Sequence, residues 1–137
     1  MQGPDLPFSG IFGHQMLQVN SKTIYIIGGN QDMSFLSGSG KLHSVHDISV
    51  GSHDSNKTWI VQMDTNSLCS FFNNCHNFQI SEGAPMNEAR KGHSCAKMNV
   101  NGKIFIVVAG GSKHGSVELL DISTSNHEGW KLGTYNN

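Results

Sequence analysis

Short apolar runs, each cut off by glycine, asparagine or serine, set the pattern of this chain. Thr23-Ile24-Tyr25-Ile26-Ile27 stops at Gly28-Gly29, and Lys103-Ile104-Phe105-Ile106-Val107-Val108-Ala109 stops at Gly110-Gly111. Both runs are β-branched, aromatic or apolar on alternate and intervening positions alike, the signature of strands covered on two faces. Trp59-Ile60-Val61-Gln62-Met63 and Val117-Glu118-Leu119-Leu120 predict two further strands, each running into an acidic residue and a polar turn. No apolar period near 3.6 is sustained over ten residues, so helix content close to nil is expected.

Sliding the chain against itself exposes a repeat. Gly13-His14-Gln15-Met16-Leu17-Gln18-Val19-Asn20 lies over Gly92-His93-Ser94-Cys95-Ala96-Lys97-Met98-Asn99, and in both copies a turn, a buried strand and a double glycine follow. The Asp64 strand is then matched to the Asp121 strand. Each copy reads as a four-stranded antiparallel unit, one spanning residues 1–83 and the other 84–137. The copies differ mainly in one loop: a polar segment at 30–57 in the first, only Ser112-Lys113-His114-Gly115-Ser116 in the second. Rich in Ser, Gly and His, the 30–57 insert is expected to be mobile over most of its length and dispensable for folding.

In order along the second copy stand Pro85-Met86, Arg90, Gly92-His93-Ser94, Gly102-Lys103, Gly110-Gly111, Glu118, Asp121 and Trp130. This pattern resembles the kelch repeat. In the first copy Gly28 and Gly29 keep their places, while Ile11 stands for Arg90, Gln62 for Glu118, and Phe78 or another aromatic for Trp130. The resemblance implies an all-β fold: about two four-stranded antiparallel blades of a kelch-type β-propeller, whose ring closure protects the strand edges. It further implies a piece of a longer propeller, since about four to eight blades close a ring. A chain of two blades alone is expected to self-associate through its open flanks. Kelch proteins often act as substrate receptors of ubiquitin ligases or as cytoskeletal adaptors, so the resemblance implies a protein–protein interaction module rather than an enzyme. Two alternatives stay open: a non-catalytic segment of a galactose-oxidase-like copper enzyme, and an extracellular recognition module.

Composition narrows the chemistry. Sixteen glycines in 137 residues are about 12% of the chain, against about 7% in average proteins. Charged residues make up only 14%, with 9 Lys plus Arg against 10 Asp plus Glu. A helical bundle and a basic nucleic-acid binder are thereby excluded, and no apolar stretch approaches a membrane span. No basic start and apolar core open the chain, so no signal peptide is expected. The double glycines open into polar loops rather than helices, which removes a dinucleotide-binding reading. Eight histidines and three cysteines are present, but neither His43-Ser44-Val45-His46 nor Cys69…Cys75-His76 has metal-ligand spacing. Tyr25 lies inside an apolar strand and Tyr135 near the end, so a copper set cannot be assembled. No catalytic group, cofactor or metal is expected. The cytoplasm is favoured, while the Asn56-Lys57-Thr58 acceptor pattern and Cys69 with Cys75 keep an extracellular setting open.

Alternating strand directions bring the turn before each first strand and the loop after each double glycine to one end of the blade. That end carries Arg90, Lys91, Lys113, His114, Lys41 and His43, the residues expected to contact a partner protein, acidic segments in particular. Arg90 has two readings: a contact to such a partner, or an ion pair inside its own blade with Glu118. Gly28, Gly29, His93, Gly110, Gly111, Glu118, Asp121 and Trp130 are the structural signature of the repeat.

Overall fold

The computed structural model describes residues 11–32, 52–64, 77–111, 115–124 and 128–133. The described elements are all strands joined by turns, with no helix among them. In chain order they are β1 (Ile11–Phe12), β2 (Gln15–Asn20), β3 (Thr23–Ile27), β4 (Asn30–Asp32), β5 (Ser52–Asp54) and β6 (Thr58–Asp64). There follow β7 (Asn77–Glu82), β8 (Ser94–Val100), β9 (Lys103–Ala109), β10 (Val117–Asp121) and β11 (Lys131–Leu132). Two four-stranded antiparallel sheets result, β2-β3-β6-β7 and β8-β9-β10-β11; the second is a meander of sequential neighbours, and in the first β4 and β5 intervene between β3 and β6.

Local chemistry sets the corners. Asn101 and Gly102 take φ of 52° and 79° in the tight turn between β8 and β9, the left-handed pair that an Asn-Gly hairpin supplies. In the first sheet the Asn20 side chain accepts from the Lys22 amide at 2.8 Å and holds the β2–β3 turn. One core lies between the sheets: Val19, Tyr25 and Ile27 from one side, Ile106, Val108, Leu120 and Trp130 from the other, with Met86 of the connection among them.

The two sheets share hydrogen bonds at matching places. The Gly28 amide donates to Lys57 O at 2.9 Å, as Gly110 does to Ser116 O at 3.2 Å. Gly83 donates to Thr58 O and Gly133 to Val117 O, both at 2.7 Å. Counting from these glycines corrects two expected matches. Trp59 faces Ile26 as Glu118 faces Val108, so Trp59 and not Gln62 occupies the Glu118 place. Ile80, opposite Val61, and not Phe78, then falls at the place of Trp130. The earlier matches followed residue chemistry, whereas backbone register follows distance from the glycine.

The insert also departs from expectation. Its described ends are strands: β4 pairs with β5 and with β1 in a third, three-stranded sheet, extended by a bridge between Ser55 and Arg90. These ends are paired strand, while residues 33–51, the larger part of the segment expected to be mobile and dispensable, lie outside the described residues. Extended backbone pairs there through main-chain groups, which need no apolar alternation to do so.

Candidate interaction face and its buried arginine clasp

The connection between the sheets, residues 83–93, organises the loop end of the molecule. Past Gly83 the chain drops Met86 into the core, where it is 2% exposed. The Met86 amide donates to Asn56 O at 2.8 Å, and the Asn56 side chain donates back to Met86 O at 3.1 Å. Arg90 continues the stitching: its amide donates to Ser55 O at 3.0 Å, and its carbonyl accepts from Gly29 at 2.7 Å. The backbone of the connection is thus bonded to the first half of the chain.

Its side chains, and several of its backbone groups, are bonded to the second half. The Glu118 carboxylate, fully buried on β10, accepts from the backbone amides of Asn87 at 2.7 Å and Glu88 at 3.0 Å. The Asn87 side chain also donates to Glu118 at 2.9 Å and to Trp130 O at 2.8 Å. The Trp130 indole donates to Ala84 O at 2.9 Å. Into this cage the Arg90 guanidinium inserts, 3.2 Å from Glu118 and 3.1 Å from Glu88, with neither it nor Glu118 exposed. It also donates to Gly110 O at 2.7 Å, to Ser116 O at 2.9 Å and to the Ser116 hydroxyl at 2.6 Å. The Ser116 hydroxyl in turn donates to Glu88. A charge-assisted network of this kind tolerates burial because each partner answers the other.

The glycines make room for the clasp. Gly28 has φ of 64°, and a Cβ there would lie 2.7 Å from both Arg90 O and His93 Cε1. His93 is itself buried, and its ring makes no well-formed hydrogen bond among the described residues beyond a weak contact with the Ile27 backbone. Burial holds its pKa below the ordinary value, helped by the neighbouring charge of Arg90 and by His14, against a pull from the Ile27 backbone.

Of the residues expected to contact a partner, Arg90 is corrected: its side chain has no exposed surface and is consumed by the ion pair with Glu118. Lys91 remains at the surface, with a side chain 35% exposed, 3.7 Å from Asp54 and 5.8 Å from the centre of the half-exposed Phe12 ring. Lys41, His43, Lys113 and His114 lie outside the described residues, as do Cys69 and Cys75. Asp121 serves a turn, accepting from the Ser123 amide at 2.9 Å. Sequence reasoning missed Asn87, Glu88 and Ser116. The available signal was Glu88 two residues before Arg90, an acid near enough in sequence to pair with it, although the chain bends at Asn87 and Glu88. Among the described residues no group of three His, Cys, Asp or Glu is placed to hold a metal ion. Comparison with family models, curated proteins and solved structures returns no match in any of the three.

Proposed function

We propose that the two sheets are neighbouring blades of a kelch-type β-propeller and that the protein is an interaction module, not an enzyme. The observation that carries this reading is the repeated geometry of the double glycines. Gly28-Gly29 at φ of 64° and 102° and Gly110-Gly111 at 72° and 115° end equivalent strands with equivalent hydrogen bonds. Between them the clasp stiffens the loop end, so the loops there are presented by a rigid platform. The partner is a protein segment carrying carboxylates. Lys91, stacked over Phe12, offers it a cation beside an exposed aromatic.

The test is binding of the full chain to acidic and to neutral peptides of equal length. Acidic peptides should bind more tightly, and raising salt from about 50 mM to about 300 mM should weaken them several-fold as surface charges are screened. Lys91→Ala should weaken acidic binding while the β-sheet circular dichroism is retained, with some loss of melting temperature because Lys91 also pairs with the nearly buried Asp54. Equal affinity for acidic and neutral peptides would overturn the reading.

A further inference from the structure

The two sheets meet through unlike faces. The first turns Leu17, Tyr25, Ile27, Thr58 and Ile60 toward the core; these share one face by register. The second turns Ile106, Val108, Glu118 and Leu120 toward it. Counted from the double glycines, these correspond to Ile24, Ile26, Trp59 and Val61, which belong to the opposite face of the first sheet. The packing is head to tail, so one face of each sheet takes no part in the contact between them, although on the first sheet that face already buries Ile26.

On the second sheet the unused face is apolar. Phe105, Val107, Val117 and Leu119 lie on it half-buried, and Met98 is 44% exposed. A cleft of about 320 Å³ opens there, floored by Phe105 and Leu119 and rimmed by Lys103, Asp121 and Lys131. Phe105, Val107, Val117 and Leu119 occupy the places of Thr23, Tyr25, Thr58 and Ile60, which the first sheet turns toward the core. The glycines record the same imbalance. Gly28 is crowded by Arg90 O and His93, whereas nothing lies within 4 Å of a Cβ at Gly110 in the same backbone conformation.

We infer that the outer face of β8-β9-β10-β11 receives the outer face of β2-β3-β6-β7 from a second copy of this chain, repeating in trans the contact made within one chain. Ile24, Val61 and Ile80 of the incoming copy, the counterparts of Ile106, Leu120 and Trp130, meet Phe105, Val107 and Leu119. Its Ile11 and His14, the counterparts of Arg90 and His93, close over Gly110. The inference rests on the equivalence of the two sheets and deepens the blade reading; it does not depend on the acidic partner.

Sedimentation velocity of the full chain tests it. Wild type at micromolar concentration should sediment as a species heavier than a monomer. Leu119→Lys blocks the face on the second sheet and Val61→Lys the face on the first, so each variant should be monomeric. An equimolar mixture retains one intact pair of faces and should form a dimer, which a contact between like faces would not allow. Met98→Lys and Met16→Lys, at exposed positions, replace the first pair if either variant loses its β-sheet circular dichroism. A monomeric wild type, or a mixture that stays monomeric while wild type assembles, would overturn the inference. Peptide binding by the monomeric variants is measured separately and answers for the loop end alone.

Discussion

Glu118 accepts from two backbone amides, the Asn87 side chain and Arg90 in a site without exposed surface, so the stability of the clasp is concentrated on one carboxylate. Glu118→Ala leaves the buried Arg90 with one carboxylate, the partly exposed Glu88, beside its neutral acceptors Gly110 O and Ser116, and should cost about 3–5 kcal/mol, the range for breaking a buried pair. Glu88→Ala should cost less, because Arg90 keeps Glu118. The paired change Arg90→Met with Glu118→Leu should recover part of the loss, since no fully buried charge is then left unanswered; Glu88 loses its cation but is partly exposed and keeps the Ser116 hydroxyl. Urea titration reads all three, and equal costs for the two glutamates would remove Glu118 from this role. His93 adds a dependence on pH. Its folded pKa is depressed by burial and by Arg90, so below about pH 6.5 the unfolded chain takes up a proton that the folded chain refuses. Stability should therefore be fully present above that value and fall as pH drops toward the folded pKa. His93→Gln should flatten this part of the urea midpoint between pH 7.5 and pH 5.5, measured on the order of one pH unit to either side of the ordinary value. An unchanged slope would assign the pH dependence to other groups.

Among the elements, β3, β6, β9 and β10 are legible in the sequence because apolar residues on both parities, ended by glycine or a polar turn, have few other solutions. The Arg90–Glu118 pair was legible as one of two readings, because both residues belong to one repeat; burial then decides between them. β4 and β5 were not legible. Asn30-Gln31-Asp32 and Ser52-His53-Asp54 carry no alternation, and what holds them is pairing with each other and with β1. Their register suggests how to separate structural from dispensable parts of the insert. Asp32 lies opposite Ser52, so a short Asn-Gly turn can join these positions directly. Replacing residues 33–51 in that way should leave the thermal melt within a few degrees of wild type. Removing 30–57 as a whole also removes Ser55 and Asn56, which bond the backbone of Arg90 and Met86. That deletion should abolish the cooperative transition. If both deletions melt like wild type, the third sheet contributes nothing to the fold.

For the whole molecule, the decisive fact is that neither four-stranded sheet owns its core. Ile106, Val108, Leu120 and Trp130 are covered by Val19, Tyr25 and Ile27 of the other sheet. Covering one such side chain is worth about 1.5–3 kcal/mol, and a domain's net stability is only about 5–15 kcal/mol, so losing the cover of several removes the whole margin. The connection adds to the coupling, because it is bonded to both halves: its backbone to Asn56, Ser55 and Gly29, and its backbone and side chains to Glu118, Ser116 and Trp130. Residues 1–83 and 84–137, made separately, should each lack a cooperative melt, and the full chain should unfold in one transition. The two tryptophans permit a direct check, since Trp59 lies in the first sheet and Trp130 beside the second. In Trp130→Phe the remaining fluorescence reports on the first sheet, and in Trp59→Phe on the second. Trp130→Phe also loses the indole bond to Ala84, so each variant is compared with its own circular dichroism rather than with wild type. Within each variant the fluorescence and dichroism midpoints in urea should coincide, as a two-state transition requires. Separate midpoints would mean that the sheets are independent units, and the shared core would then be a contact between domains rather than the centre of one.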